Sequence, residues 1–182
     1  HPKIKGLAQI LFGLGCLFYG LELMSLHLEA ITKLPEFMKL VTLFTNHPIL
    51  AMFGGAITTA LIQSSSAMIA IVQQMYHLKA ISLYVSIPYI LGCNIGTTIT
   101  AFLSALKTNS SAKKAAFFHF LFNVIGTTFF MIFLTPFYHL FLTFHFYIPI
   151  SPRLQLAFIH GSFNIVTTLL IFPFYKHIIA LI

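Results

Sequence analysis

Long apolar segments with very few charges make up most of the sequence. Segments 6–31, 80–106, 115–135 and 152–173 are each about as long as the roughly 20-residue helix that crosses a bilayer. Charged residues are 7% of the 182 residues, whereas soluble domains carry about 25%. So few charges cannot cover a water-facing surface. The sequence therefore predicts an all-α polytopic integral membrane protein, with 1–182 forming one membrane domain and no soluble regulatory domain.

The positive charge of the chain is consistent with this class. The formal net charge is +7, which in a membrane protein is typical of cationic loops beside anionic lipid and does not indicate nucleic-acid binding. We expect a multi-pass protein of the cell membrane, plasma or inner. The sequence contains no H-E-x-x-H, G-x-S-x-G or P-loop pattern, so an enzyme is not expected. Cys16 and Cys93 form no CxxC motif and are predicted to be small core residues.

The first apolar segment carries two seven-residue patterns. Its glycines predict a face for close helix packing, and they are Gly6, Gly13 and Gly20. Glu22 and Glu29 share a second face, which we place at the interfacial end of the helix because carboxylates inside a bilayer are rare. Three connecting segments complete the pattern: an amphipathic helix over 32–47, a hydrophilic loop over 107–114 and an aromatic interfacial connection over 136–151.

Two polar islands interrupt the apolar pattern. The first is "QSSS" at 63–66, preceded by Thr58 and Thr59, and the second is a run of polar residues flanked by glycines over 92–100. An unsatisfied polar group in hydrocarbon costs several kcal/mol, so irregular backbone occurs there only around a protein-lined cavity. We predict a re-entrant hairpin over 49–78 with its tip at Gln63–Ser66. We also predict a spanning helix over 80–106 that Pro88 breaks or kinks and that is unwound around 92–98. The alternative for "QSSS" is a helix end with serine hydroxyls bonded back to carbonyls.

The side chains of the islands suit a small anion and a hard cation together. Hydroxyls and amide N–H groups donate to an oxyanion, while hydroxyl and amide oxygens coordinate Na⁺. A proton-coupled carrier would more naturally use a buried carboxylate or histidine relay, and the islands contain no carboxylate. The sequence therefore favours sodium coupling to a small anion, without identifying the anion. The candidate residues are Gln63, Ser64, Ser65, Ser66, Asn94, Thr97 and Thr98, with Thr58, Thr59 and Thr100 as secondary candidates.

An H-x-x-F-N motif occurs twice, 41 residues apart by the numbering of the sequence. The first copy contains His119 and Asn123, and the second contains His160 and Asn164. In each copy the histidine and the asparagine lie four residues apart and share a helix face. Both pairs are secondary candidates for a cavity lining. The alternative is that they form hydrogen bonds between helices and hold the bundle together.

Together these motifs resemble those of the sodium–phosphate cotransporter family, which includes the type II cotransporters and their bacterial relatives. The matching stretches are "GAITTALIQSSSA", "LGCNIGTTITAFLSAL", "AAFFHFLFN" and "LAFIHGSFN". The resemblance runs from about Gly6 to Pro173. It implies sodium-driven symport of inorganic phosphate by alternating access. It also implies that Gln63–Ser66 line the phosphate and sodium sites and that Asn94, Thr97 and Thr98 complete that half of the cavity.

The expected ligands follow from the resemblance and from the chemistry of the islands. Sodium is the coupling ion, no other cofactor is expected, and the oxygens assigned to Na⁺ belong to Gln63, Ser64, Ser65, Ser66, Asn94 and Thr97. Family members carry two QSSS repeats, whereas this sequence has one. We expect a second repeat from elsewhere in a longer polypeptide, because the chain begins at His1, or from another subunit. The alternatives are a carrier of another small anion, such as sulfate or a carboxylate, and a half-transporter that does not transport without a partner chain.

Overall fold

The computed structural model describes residues 2–182, and these residues form nine α-helices, a single 3-10 turn and no strand. The 3-10 turn, Phe172–Phe174, lies between the last two helices. The helices are α1 (Pro2–Thr32), α2 (Pro35–Asn46), α3 (Pro48–Ile62), α4 (Ser65–His77), α5 (Leu83–Ala105), α6 (Ser110–Ile132), α7 (Leu134–Tyr147), α8 (Pro152–Ile171) and α9 (Tyr175–Leu181).

Four helical stretches within the described part of the chain are long and apolar enough to cross a membrane. They are Ile4–Thr32, Leu83–Ala105, Ser110–Ile132 and Pro152–Ala180. The predicted class, an all-α polytopic membrane protein, is confirmed. α3 and α4 are shorter, with 15 and 13 residues, so each rises only about 20 Å and does not cross the roughly 30 Å hydrocarbon core by itself.

The closest helix contact in the fold joins α3 to α5. Ala51, Gly55 and Thr59 form a fully buried stripe of small residues along α3. A methyl group on any of three glycines in this contact would overlap backbone atoms of the opposite helix: Gly55 against Tyr89, Gly92 against Met52, and Gly96 against Ala56. This is the close backbone approach that small residues at four-residue spacing allow between membrane helices.

The positions of these contacts give the direction of α3. Met52 lies at Gly92 and Ala56 lies at Gly96, so α3 runs in the same direction as α5 with a constant offset in register. Continuing that offset places Ala60 level with Thr100. The end of α3 therefore lies beside the C-terminal half of α5.

The remaining core surrounds α5 with side chains from α4, α6, α7 and α8. Phe130 on α6 is its aromatic centre, with ring centroids 4.5 Å from Phe137 and 5.4 Å from Phe163. Dispersion contacts among these closely packed aromatic and branched aliphatic side chains help to hold together the helices that flank α5. The buried cluster contains Ile69, Val72, Leu83, Ile87, Ile90, Leu91, Phe130, Leu134, Phe141, Leu156, Ile159 and Phe163.

The prediction that the fifth helix is unwound around 92–98 is wrong. α5 is continuous from Leu83 to Ala105 and passes through Pro88. Its polar side chains are satisfied within the helix, because each donates to a carbonyl three or four residues earlier. The glycines of the island serve the packing against α3 and do not loosen the backbone. The bonds run from Asn94 to Ile90, from Thr97 to Cys93, from Thr98 to Ile95 and from Thr100 to Thr97.

Two connecting segments also differ from the prediction. The hydrophilic loop expected over 107–114 is shorter, because Asn109 accepts a hydrogen bond from the backbone N–H of Ala112 and begins α6 at Ser110. Asn is a strong N-cap, and this capping was missed. The connection expected over 136–151 is mostly helix α7, which Phe137 and Phe141 anchor to the core.

α1 contacts the rest of the chain along a narrow strip. Leu28 is buried, but most of the helix is exposed. Gly6, Gly13 and Gly20 have no atom of the described residues within 4 Å of an added Cβ. Their face is therefore open within this chain. Cys93 is buried as predicted, whereas Cys16 is exposed on α1, which corrects its prediction as a core residue.

The α3–α5 contact predicts a contrast between two glycines. Gly92→Ala places a methyl group where it would overlap the Met52 backbone. Such overpacking lowers the free energy of unfolding by about 1–3 kcal/mol. Gly161→Ala on α8 meets nothing within 4 Å among the described residues, and alanine is the better helix former. Thermal denaturation of the purified protein in detergent should show a lower melting temperature for Gly92→Ala and an equal or higher one for Gly161→Ala. Equal melting temperatures for the two variants would contradict the contact.

Candidate functional site

The QSSS motif lies where two helices meet end to end. α3 ends at Ile62, Gln63 adopts the left-handed conformation with φ of 58°, and Ser64 is extended with φ of −144°. The Ser64 hydroxyl accepts a hydrogen bond from the N–H of Ala67 at 3.3 Å and so caps α4. We call Gln63–Ser66 the break. It coincides with the predicted hairpin tip, and its serine hydroxyls make no hydrogen bond to backbone carbonyls among the residues described.

The break leaves backbone groups of both signs without protein partners. In the described chain, no hydrogen bond reaches the carbonyls of Ala60, Leu61 or Ile62 at the end of α3. Likewise, none involves the N–H groups of Ser65 and Ser66 at the start of α4. The C-terminus of a helix carries a partial negative charge, and the N-terminus carries a partial positive charge. Carbonyls that suit a cation therefore lie next to N–H groups that suit an anion.

The two threonines before the break have different surroundings. Thr58 donates to the Gly54 carbonyl at 2.7 Å, and its hydroxyl lies 2.8 Å from that of Tyr89 on α5. Thr59 is fully buried against Gly96, and its hydroxyl has no hydrogen-bond partner among the described residues. Thr58 thus ties α3 to α5, and Thr59 holds an unused donor and acceptor one turn before the break.

The α5 island is tied to α8. The side-chain oxygen of Asn94 lies 3.0 Å from Nε2 of His160, and the Asn94 amide donates to the Ile90 carbonyl at 3.2 Å. Asn94 and Thr98 are buried, whereas Thr97 and Thr100 are partly exposed. The Asn94–His160 hydrogen bond joins the second polar island to the second H-x-x-F-N motif.

The two H-x-x-F-N motifs share local geometry but differ in their neighbours. Asn123 donates to the His119 carbonyl, and Asn164 donates to the His160 carbonyl, each at 2.9 Å. His160 reaches Asn94, but the His119 ring has no hydrogen bond to another described residue. His119 instead lines a cavity of about 380 Å³ with small residues of α5 and α6. Only the second motif therefore connects helices through its histidine in the described part of the chain.

The predicted site residues are not all brought together. The register of α3 on α5 places the break beside the level of Thr100. Asn94 is level with Gly54, which is about 13 Å along the helix from Gln63. Among the described residues, no hydrogen bond joins the break to Asn94, Thr97 or Thr98. The structure thus has two separate polar groups. The break lies beside the C-terminal half of α5, and the Asn94–His160 pair joins the middle of α5 to α8.

Several polar residues outside the predicted set also make contacts between helices. Arg153 at the start of α8 donates from Nε and Nη2 to the side-chain oxygen of Gln74, at 3.0 and 2.6 Å. Tyr76 donates to the side-chain oxygen of Gln155 at 2.8 Å. Two adjacent glutamines within the apolar helix α4 were the sequence signal for this cluster. Arg153 gave no signal, because it lies at the start of the predicted span 152–173, where a cation near the membrane interface is common.

Comparison with known proteins places this arrangement in a family. The family model described as "Na+/Pi-cotransporter" matches residues 28–147. The chain belongs to this family. The matched region contains the break, the α5 island and His119, so the resemblance noted in the sequence is confirmed. The Na⁺/Pi-cotransporter family is a family of membrane transporters, which supports a transport function located in the membrane.

Individual relatives agree with the family match. The chain is 32% identical over 185 residues to "Uncharacterized protein YqeW" of Bacillus subtilis, covering 98% of this chain and 58% of the relative. It is 43% identical over 81 residues to "Sodium-dependent phosphate transport protein 2C" of Homo sapiens, covering 42% of the chain and 14% of that protein. The corresponding protein 2A of Ovis aries is 42% identical over 80 residues, with 42% and 12% covered. The chain thus spans less than two thirds of these relatives, and no solved structure matches it.

The Asn94–His160 hydrogen bond predicts a coupling energy in this member of the cotransporter family. A double-mutant cycle with Asn94→Ala and His160→Ala should give a coupling of about 0.6 kcal/mol, the average for hydrogen bonds between membrane helices. The matched control is Asn94→Ala with His119→Ala, which should be additive because no bond joins these residues. The measurement is the free energy of unfolding in detergent. Equal coupling in both cycles would remove the hydrogen bond as its cause.

Proposed function

We propose that the chain takes part in sodium-coupled symport of inorganic phosphate across the plasma or inner membrane, by alternating access. Membership of the Na⁺/Pi-cotransporter family and the sodium-dependent phosphate transport proteins among its relatives support the cargo and the coupling ion. The observation that carries the proposal is the break at Gln63–Ser66. Unpaired carbonyls and unpaired N–H groups lie side by side there, which suits one cation and one oxyanion.

In this proposal the break holds phosphate and sodium. Ser65 and Ser66 donate through their hydroxyls and backbone N–H groups to phosphate oxygens. Sodium lies on the α3 side, where carbonyl and side-chain oxygens coordinate it. Its positive charge then reduces the repulsion between these oxygens and the incoming anion. The Na⁺ oxygens proposed are those of Gln63, Ser64, Ser65, Ser66, Asn94 and Thr97. Thr58, Thr59, Thr98 and Thr100 are placed around them, and the H-x-x-F-N residues His119, Asn123, His160 and Asn164 form a second layer.

The movement proposed for alternating access follows from the positions of these groups. Asn94 and Thr97 now donate within α5, and Asn94 lies away from the break. We propose that they join the sodium site in another state of the transport cycle, in which these hydrogen bonds and the Asn94–His160 bond are exchanged for the ion.

A second repeat completes the proposed cavity. We propose that 1–182 is one membrane domain with a single QSSS repeat, and that the second repeat comes from the rest of a longer polypeptide or from another subunit. Two observations support this proposal. The chain spans less than two thirds of its relatives, and the glycine face of α1 contacts nothing within the described residues.

The same observations favour one other candidate, a half-transporter that moves no phosphate until a partner chain is present. Reconstitution separates the two. Proteoliposomes that contain only residues 1–182 should take up phosphate if two copies of this chain complete the cavity, and only after addition of a chain with a second QSSS repeat if they do not. Competition of labelled phosphate uptake by sulfate and small carboxylates tests the cargo, since effective competition would replace phosphate with a broader anion class.

Ser65→Ala tests the anion side of the break. The substitution keeps the helix start but removes a hydroxyl that has no hydrogen-bond partner among the described residues. Sodium-dependent uptake of labelled phosphate, at substrate concentrations below KM, should fall about ten- to a hundredfold, since one hydrogen bond to a charged ligand is worth about 1.5–3 kcal/mol. The control is Thr143→Ala on α7, whose hydroxyl bonds back to His139 at an exposed site. Normal uptake by correctly folded Ser65→Ala protein would rule out this role.

Gln63→Gly separates the backbone of the break from its side chain. Glycine adopts φ of 58° without the roughly 1 kcal/mol cost of a residue with Cβ, so the protein should become more stable. Uptake should nevertheless fall, because the amide oxygen proposed for Na⁺ is lost. Lys79→Gly is the matched control: Lys79 has φ of 57° in the loop before α5. It should gain similar stability and keep full uptake. Equal uptake by both variants would remove the Gln63 side chain from the sodium site.

A further inference from the structure

A cavity with polar and apolar walls lies between α1, α4 and α8, toward the opposite end of α4 from the break. Its volume is about 490 Å³. Gln74 lies about 15 Å along α4 from Ser64, at 1.5 Å per residue, so the cavity is distinct from the break. One wall is apolar and includes Phe18 and Leu21, whereas the polar lining consists of Glu22, Ser25, Gln73, Gln74 and Arg153.

The guanidinium in this cavity is held in place by neutral groups. Gln74 is 5% exposed, and its side-chain oxygen accepts two hydrogen bonds from Arg153. Gln73 donates to the backbone carbonyl of Arg153 at 3.0 Å. Gln155 lies two residues after Arg153 on α8 and is almost completely buried. Its side-chain oxygen accepts a hydrogen bond from Tyr76, whereas its amide nitrogen has no partner among the described residues. A buried amide is costly unless it is hydrogen-bonded, and the buried Gln74 makes its side-chain hydrogen bonds to the Arg153 guanidinium.

The positive charge of Arg153 is not neutralised in this arrangement. The one ion pair in the described part of the chain joins Lys33 to Glu29. Glutamine carries no charge, so Arg153 keeps its full charge, and three of its five N–H donors remain for a ligand. The N-terminus of α8, at Pro152, adds partial positive charge beside it. An anion is the complement to this side of the cavity.

Glu22 determines which anion fits. Its carboxylate lines the same cavity from the C-terminal part of α1, the end that the sequence places at the membrane interface. A carboxylate repels a fully ionised anion but accepts a hydrogen bond from an anion that still carries a proton. Inorganic phosphate carries a P–OH group at neutral pH, whereas sulfate and the phosphodiester of a lipid do not. A cavity lined by both an arginine and a carboxylate therefore favours a protonated phosphate.

We propose that this cavity is a second phosphate site, separate from the break, in which Arg153 binds the oxyanion and Glu22 accepts the P–OH proton in a hydrogen bond. The inference rests on the proposed function for its role: the site collects phosphate near the transport path. Binding here involves none of the sodium ligands proposed at the break, so it does not require sodium.

The first test is sodium-free phosphate binding. Isothermal titration of inorganic phosphate into the purified full-length protein, with choline in place of sodium, should detect this site. Arg153→Gln should weaken binding about tenfold, as expected for loss of a charge-assisted contact. The control Lys39→Gln removes an exposed cation of α2 and should bind normally. Unchanged binding by folded Arg153→Gln protein would overturn the proposal.

Glu22→Gln keeps the test decisive if Arg153→Gln fails to fold, because Glu22 makes no hydrogen bond or ion pair in the described chain. The amide can donate to sulfate, so the preference for phosphate over sulfate should fall about tenfold in the variant. An unchanged preference would contradict the role of Glu22. The proposal would be overturned in favour of a lipid headgroup if the protein bound phosphatidylglycerol vesicles but not inorganic phosphate, and if Arg153→Gln abolished the vesicle binding.

Uptake measurements separate this inference from the proposed function. Arg153→Gln should raise the phosphate KM of sodium-dependent uptake and leave its maximal rate unchanged, whereas Ser65→Ala should lower uptake and leave sodium-free binding intact. If the wild-type protein binds phosphate through Arg153 but shows no sodium-dependent uptake, the transport proposal fails and this site remains. If uptake is normal but sodium-free binding is absent, this site fails and the transport proposal remains.

Discussion

The rest of the structure depends on the backbone contact between α3 and α5. Because Gly55, Gly92 and Gly96 leave no room for a side chain, the two helices touch through their main chains along several turns. In a bilayer, lipid competes equally for apolar side chains, so close packing of small residues is an important source of helix association. This contact positions a helix too short to span a membrane against one that does span it, and thereby fixes the depth at which the chain turns at Gln63.

The two polar islands meet the cost of buried polar groups in different ways. The threonines and Asn94 of α5 donate to carbonyls of their own helix, so that helix remains continuous. At Gln63 the chain instead interrupts the helix and leaves backbone groups without hydrogen-bond partners among the residues that the structure describes. Similar residue compositions thus produce one structural island and one open break. The local difference is that Gln63, which is not a glycine, adopts a left-handed backbone conformation. Strained backbone of this kind often occurs at functional sites.

The sequence predicted the spans and the break but not the state of α5. Segment lengths and the lack of charge were enough for four spans, because hydrocarbon permits few alternatives to helix. The break was predictable because four consecutive polar residues cover all faces of a helix. The role of Gly92 and Gly96 was ambiguous in the sequence, because a glycine can either destabilise a helix or allow a neighbouring helix to pack closely. Which role applies depends on contacts with α3 residues such as Gly55 and Ala56, almost 40 residues away. The Arg153–Gln74 contact, which joins distant helices, was equally hidden.

A broken helix is well suited to coupling two ions of opposite charge. The end of α3 and the start of α4 present carbonyls and N–H groups within a few residues, so each ion lies in the favourable field of one helix and close to the other ion. With both ions present, the net charge carried into low-dielectric surroundings is smaller than with either alone, and the desolvation cost falls accordingly. The same reasoning requires a closed surrounding. The second QSSS repeat proposed above would complete that surrounding.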